Sequence, residues 1–162
     1  MHSVLMSYKA ALQSQQIVLS LVEKSSNRRM FHNTLFFAQS PDGVRSLMVA
    51  TNADLDNVFI VLLVSTFEHI LFNHPNSPVS ESQRERGLAA AITSFKSKVS
   101  PRIYEAADEL RRYRDWVAHG KRWQSDPDHP LAYPAGPEIV CSQLTEFLSQ
   151  SSLKPVTSSI SL

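Results

Sequence analysis

The sequence predicts an all-α fold, a single-domain helical bundle of five or six helices. Apolar residues recur at steps of three and four along most of the chain, which is the spacing of amphipathic helices. The chain contains only 4 Gly, and its Asp42-Gly43 pair lacks the alternating apolar flanks of a β-hairpin. A length of 162 residues suits one domain with one core.

The first 50 residues predict one long helix followed by a less regular segment. Helical spacing of apolar side chains covers about residues 4–23. Residues 30–39 are apolar and aromatic, and they suit either a short helix or a strand. Pro41-Asp42-Gly43 predicts a turn, and residues 44–51 are ambiguous.

A strongly apolar helix is predicted over about residues 52–72. Thr51-Asn52 supplies a capping side chain at its start, and an acidic residue follows in the first turn. Because this segment is apolar nearly all round, it is the candidate central helix of the core. Its most apolar run, residues 58–64, is far shorter than the roughly 20 residues that cross a bilayer.

The second half of the chain predicts three further helices, over about residues 81–99, 102–120 and 137–149. Ser100-Pro101 is an N-cap followed by proline at the first helical position, and Gly120 is a C-terminal stop, although the helix could continue to Trp123. Residues 1–150 are therefore expected to form the single helical domain. The Ser-rich tail, residues 151–162, is expected to fray.

Composition limits the function classes. The chain is 43% hydrophobic and its formal net charge is +1, so any site for nucleic acid depends on local clustering of charge. The single Cys141 excludes an intrachain disulfide framework and fits a reducing compartment. Lys9 and the polar run at residues 13–16 interrupt any signal peptide. We therefore expect a cytoplasmic protein that does not associate with a membrane.

Residues 112–123, RYRDWVAHGKRW, concentrate the candidate functional side chains. His119 is a natural proton carrier, since the unperturbed pKa of histidine is about 6.5. Arginine can hold a phosphate through two hydrogen bonds and stabilise its developing negative charge. Asp115 and His119 share a helix face, so Asp115 is expected to accept a hydrogen bond from the imidazole and fix its tautomer.

An apolar helix ending in STFEHIL, followed by a helix that carries RDWVAHG, resembles the HEPN family (higher eukaryotes and prokaryotes nucleotide-binding) over about residues 52–123. HEPN proteins are small helical bundles, usually dimers. Many are metal-independent ribonucleases in which four to six residues lie between an arginine and a following histidine. Arg114 and His119 match this pattern with four intervening residues, and Arg112 matches it with six.

The resemblance implies a metal-independent endoribonuclease that needs no cofactor. The ribose 2′-OH would attack the adjacent phosphate and leave a 2′,3′-cyclic phosphate. A homodimer with its site at the interface would bring two histidines to one cleft, one as base and one as acid. Such proteins often act as toxins or in defence and stress responses, and a cognate antitoxin would be a partner. The alternatives are a non-catalytic module that binds RNA, a nucleotide or a protein, and a structural helical protein.

The candidate residues fall into three groups. The catalytic candidates are Arg114, Asp115 and His119. The substrate-binding candidates are Arg111, Arg112, Lys121 and Arg122. The supporting candidates are Glu68 and Trp116.

Several assignments within this cluster have two interpretations. The HEPN pattern favours Arg114 as the motif arginine, whereas helix spacing favours Arg112, because Arg114 lies about 140° away from His119 around the helix. Glu68 either pairs with a basic residue of the 111–122 segment or faces solvent. Trp116 is a core or interface anchor rather than a base-stacking platform.

The cationic and histidine side chains also have simpler explanations. His119, Lys121 and Arg122 could merely offset the negative end of the helix dipole. His69 and His74 are five residues apart, whereas zinc-binding helices place their ligands four apart, so no metal site is predicted.

Overall fold

The computed structural model describes residues 1–24, 31–32, 34–119 and 135–153. Six helices occur in this part of the chain: α1 (His2–Lys24), α2 (Pro41–Asn73), α3 (Glu81–Glu85), α4 (Leu88–Thr93), α5 (Pro101–Ala118) and α6 (Pro137–Gln150). The described residues contain no strand, so the predicted all-α bundle is confirmed.

The second helix begins at Pro41, well before the predicted start near residue 52. The Ser40 hydroxyl accepts a hydrogen bond from the backbone N–H of Gly43 at 3.0 Å, and proline suits the first helical turn because its missing N–H would have no partner there. The predicted turn at residues 41–43 was therefore wrong. So was the predicted cap at Thr51-Asn52, since the Thr51 hydroxyl donates back to the Leu47 carbonyl within the helix.

At 33 residues, α2 is long and apolar enough to cross a membrane by length and composition alone, a test that core helices of soluble proteins also pass. It is the one such helix in the part of the chain that the structure describes. As expected for a central core helix, α2 supplies several buried residues to the main core, although its apolar surface is not covered on every side. Ile60, Phe67 and Leu71 are buried, whereas Val58 and Leu62 are exposed.

Two other predicted segments also differ from the structure. Residues 34–38 form turns instead of a helix or strand. Residues 81–99 form two short helices and a run of turns instead of one helix, because Gly87 adopts a φ of 80°, a left-handed conformation that interrupts the helix. The Ser80 backbone N–H donates to the Gln83 side chain at 2.8 Å, which caps the first of these helices.

The main core lies between α2, α4, α5 and α6. At its centre, the Phe147 ring packs edge-on against Phe67 and Phe95, with centroids 5.1 Å and 5.7 Å apart. A smaller cluster joins the end of α1 to the start of α2 around Val22 and Val44. The contacts of the main core fix α5 against α2 and α6. The remaining surface of α5 carries the candidate site.

The two ends of α6 contact other helices. Glu138 pairs with Lys9 of α1 at 3.0 Å, and the Gln150 side chain accepts a hydrogen bond from the Ser100 backbone N–H, just before α5. Leu153, in the segment expected to fray, is buried. Residues 154–162 lie outside the described residues.

Candidate functional site

The C-terminal half of α5 carries the candidate site. Pro101 starts the helix and Ala118 ends it, with His119 as the C-cap residue. The His119 backbone N–H donates to the Asp115 carbonyl at 3.0 Å, so the helical register reaches His119. The His119 side chain is exposed to solvent. The predicted site residues Lys121 and Arg122, together with the alternative helix end at Trp123, lie outside the described residues.

Arg111 is held between two carboxylates of its own helix. Its Nε lies 2.8 Å from Asp108 Oδ1, and its Nη1 lies 3.0 Å from Asp115 Oδ2. The acids are three residues before and four residues after the arginine, which are the spacings at which helix side chains meet. The Arg111 side chain is only 19% exposed, so much of this pairing is shielded from water.

Arg114 links α5 to α2. Its Nη1 donates to Glu68 Oε2 at 3.2 Å, and its Nε lies 3.0 Å from Asp115 Oδ1. The side chains of Arg114 and Glu68 are 19% and 23% exposed. Of the two interpretations of Glu68, the structure therefore contains the ion pair with the basic segment. The buried Arg114 Nε forms no hydrogen bond within the described residues, because its N–H does not point at the nearby Asp115 oxygen.

Arg112 is placed differently from its two neighbours. Its side chain is 55% exposed, and its Nε lies 3.5 Å from Asp108 Oδ2. Asp108 is thus shared between Arg111 and Arg112. The structure brings the three arginines together with three carboxylates, so the positive charge predicted for residues 111–114 is matched locally by negative charge.

The expected hydrogen bond between Asp115 and His119 was wrong. One Asp115 oxygen faces Arg111 and the other faces Arg114, and no hydrogen bond joins the Asp115 carboxylate to His119 in the described region. A guanidinium forms strong charge-assisted hydrogen bonds with a carboxylate, which explains the preference of Asp115 for the arginines. Asp115 therefore orients arginines rather than the histidine.

Trp116 is buried in the core, as the sequence suggested, and its ring packs 5.9 Å from the Tyr113 ring. The Tyr113 hydroxyl donates to the buried Asn57 side chain of α2. Sequence reasoning missed both Asn57 and Asp108. Asp108 had a local signal, since it precedes Arg111 and Arg112 by three and four residues, whereas nothing local linked Asn57 to α5.

His69, on α2, and His74, the C-cap residue of α2, make local contacts. The His69 ring and the Asn73 amide lie 3.1 Å apart, and His74 Nδ1 accepts from the Asn76 backbone N–H at 3.1 Å. Among the described residues, no group of three or more His, Cys, Asp or Glu side chains is arranged to hold a metal ion.

Comparisons of the chain with protein-family models, with curated proteins and with solved structures find no match.

Proposed function

We propose that this chain is a metal-independent endoribonuclease of the HEPN type that acts as a homodimer. The observation that carries the proposal is the exposed His119 at the end of α5, in helical register with a cluster of arginines. The resemblance of residues 52–123 to HEPN proteins supports it. We further propose a cytoplasmic toxin or an effector of defence or stress responses, with a cognate antitoxin as partner.

The proposed reaction needs a base, an acid and a cation at the phosphate. Neutral His119 takes the proton from a ribose 2′-OH, and the resulting oxygen attacks the adjacent phosphorus. The bond from phosphorus to the 5′-oxygen breaks, and His119 of the second copy, in its protonated form, donates a proton to that leaving oxygen. The products are a 2′,3′-cyclic phosphate and a 5′-OH. An arginine stabilises the negative charge that develops on the phosphate.

Two features of the fold support a dimer. A single His119 per chain supplies one proton carrier, whereas the reaction uses two. Val58 and Leu62, four residues apart on α2, are large apolar side chains exposed to solvent, and exposed apolar surface of this kind favours contact with another protein.

Cleavage of labelled RNA in excess EDTA tests the proposal. The parent protein is compared with His119→Ala and with His69→Ala, a matched control that removes another exposed histidine. We expect the parent and His69→Ala to cleave RNA at similar rates. The cleavage rate of His119→Ala should be at least about 100-fold lower, as expected for removal of a general base. Expression of the parent should also be toxic, and His119→Ala should relieve that toxicity. Absence of cleavage by the parent over a varied RNA pool contradicts the proposal.

One observation favours a second candidate, a non-catalytic HEPN-like module that binds RNA, a nucleotide or a protein partner. Arg111 and Arg114 are already paired with carboxylates, so they offer less free charge to a reacting phosphate. For this module, RNA binding without cleavage is expected. The binding would survive His119→Ala and be lost when Arg111, Arg112 and Arg114 are replaced together.

A further inference from the structure

The three arginines of α5 differ in their availability to a ligand. Arg111 and Arg114 each lie within 3.2 Å of two carboxylates, and each is 19% exposed. Within the described ranges, Arg112 has one carboxylate neighbour, 3.5 Å from its Nε, and is 55% exposed. Of the three, Arg112 has the guanidinium that a ligand from solvent can reach most directly.

We infer that Arg112 is the arginine of α5 that binds the RNA phosphate, and that Asp108 competes with the phosphate for its guanidinium. This inference rests on the proposed ribonuclease function. It assigns Arg114, the residue that the HEPN pattern favours, to a different task, which is to hold α5 against α2 through Glu68.

Helix geometry places Arg112 beside the proposed base. His119 lies seven positions after Arg112, which corresponds to about 20° around the helix and about 10 Å along it. The hydrogen bond from the His119 N–H to the Asp115 carbonyl keeps His119 in that register. An RNA strand that follows this face of α5 would meet both side chains, whereas Arg114 is directed toward α2.

Releasing Arg112 from its carboxylate partner also costs less free energy than releasing Arg114. Asp108 is 31% exposed and is held more closely by Arg111, at 2.8 Å, than by the exposed Arg112, at 3.5 Å. A long, partly exposed pair of this kind contributes little to stability, so a phosphate can displace Asp108 from Arg112 easily. Moving Arg114 to a phosphate would leave Glu68, 23% exposed, without its cation, and breaking a largely buried pair is costly. Asp108 therefore acts as an internal competitor that weakens phosphate binding without abolishing it.

The test measures the binding of a fluorescein-labelled single-stranded RNA in the His119→Ala background, where cleavage does not interfere. We expect Arg112→Ala to weaken binding about tenfold, as expected for loss of a hydrogen bond to a charged group. The plot of the logarithm of the association constant against the logarithm of the salt concentration should become less steep by about 0.7, the value for one phosphate contact on a single strand. Arg112→Lys should restore part of the affinity, because it keeps the charge.

The variant Asp108→Asn tests whether RNA affinity increases when the competing carboxylate is removed. It frees Arg112 while Arg111 keeps its contact with Asp115, so we expect RNA affinity to rise about threefold. Glu109→Gln is the matched control, because it removes the same charge from the next residue of α5, where the side chain is exposed. The control should change the affinity less than Asp108→Asn does.

The variant Arg114→Lys distinguishes the role of Arg114 from that of Arg112. It keeps a cation for Glu68, so it is compared with Arg112→Lys, and we expect Arg112→Lys to lose more RNA affinity than Arg114→Lys. Arg112→Ala with unchanged RNA affinity, or a larger loss of affinity from Arg114→Lys than from Arg112→Lys, overturns the assignment of Arg112. Equal effects of Asp108→Asn and Glu109→Gln overturn the competition. If Arg112→Ala cleaves RNA as well as the parent, only this inference fails. If the parent neither binds nor cleaves RNA, the proposed function fails and this inference with it.

Discussion

The ion pair between Glu68 and Arg114 should contribute measurably to stability. The two side chains are 23% and 19% exposed, and their closest N–O distance is 3.2 Å. Exposed pairs contribute about 0–1 kcal/mol, whereas breaking a buried pair costs about 3–5 kcal/mol. For a pair in between, screened in part by solvent, we expect a coupling free energy of about 1 kcal/mol.

A double-mutant cycle isolates this coupling. Glu68→Gln, Arg114→Met and the double variant are unfolded with urea, and the free energies of unfolding are compared. Each single variant should also lower the melting temperature by about 2–4 °C, as expected for about 1 kcal/mol in a chain of this size. The value for Arg114→Met also includes the lost contact between Arg114 and Asp115, which the cycle cancels.

The pair between Lys9 and Glu138 is the matched control. Its N–O distance is 3.0 Å, similar to that of the first pair, but its side chains are 47% and 61% exposed. The same cycle at this pair should give about 0.3 kcal/mol. A coupling between Glu68 and Arg114 that is no larger than this control would refute the view that Arg114 fastens α5 to α2.

Three further predictions concern the fold. Burial and the hydrogen bond to Asp56 raise the pKa of Tyr8 from 10.0 to about 12, so its stabilising contribution is complete below pH 10 and is lost as the pH rises toward 12. Between pH 9 and pH 11 the parent should lose about 1 kcal/mol more stability in urea unfolding than Tyr8→Phe, and equal losses contradict this. Ser40→Ala should cost about 1 kcal/mol because it removes the N-cap of α2, whereas Thr51→Ala should cost less than about 0.5 kcal/mol by the same measurement. Phe147→Ala should cost about 3–5 kcal/mol by calorimetry, and a cost below about 1 kcal/mol would contradict its central place in the core.

The helices were predictable because helical periodicity is a local property of the sequence. The starts of helices were harder to predict, since one sequence pattern, such as a Ser-Pro pair, is compatible with both a helix start and a turn. Ser100-Pro101 was correctly interpreted as a cap, whereas the same pair at Ser40-Pro41 was taken for part of a turn because Asp42-Gly43 follows. In both cases proline occupies the first helical turn, although only the Ser40 hydroxyl makes a capping hydrogen bond, and Gly43 is accommodated within the helix.

Contacts within one helix of the candidate site follow from sequence spacing, whereas contacts between helices depend on packing. The pairs of Arg111 with Asp108 and Asp115 follow from spacings of three and four residues on one helix. The pair between Glu68 and Arg114 joins residues 46 positions apart, so it depends on how α2 and α5 pack. For the same reason, the competition among neighbours that draws Asp115 to arginines instead of His119 was not evident from spacing alone.

The most direct test of the account is to identify the ends of RNA fragments formed by the purified protein in excess EDTA. If His119 is the proton carrier, the parent forms fragments with a 2′,3′-cyclic phosphate and a 5′-OH, and His119→Ala forms none. Fragments with a 5′-phosphate and a 3′-OH, or cleavage that persists in His119→Ala, would contradict His119 as the proton carrier of a metal-independent ribonuclease.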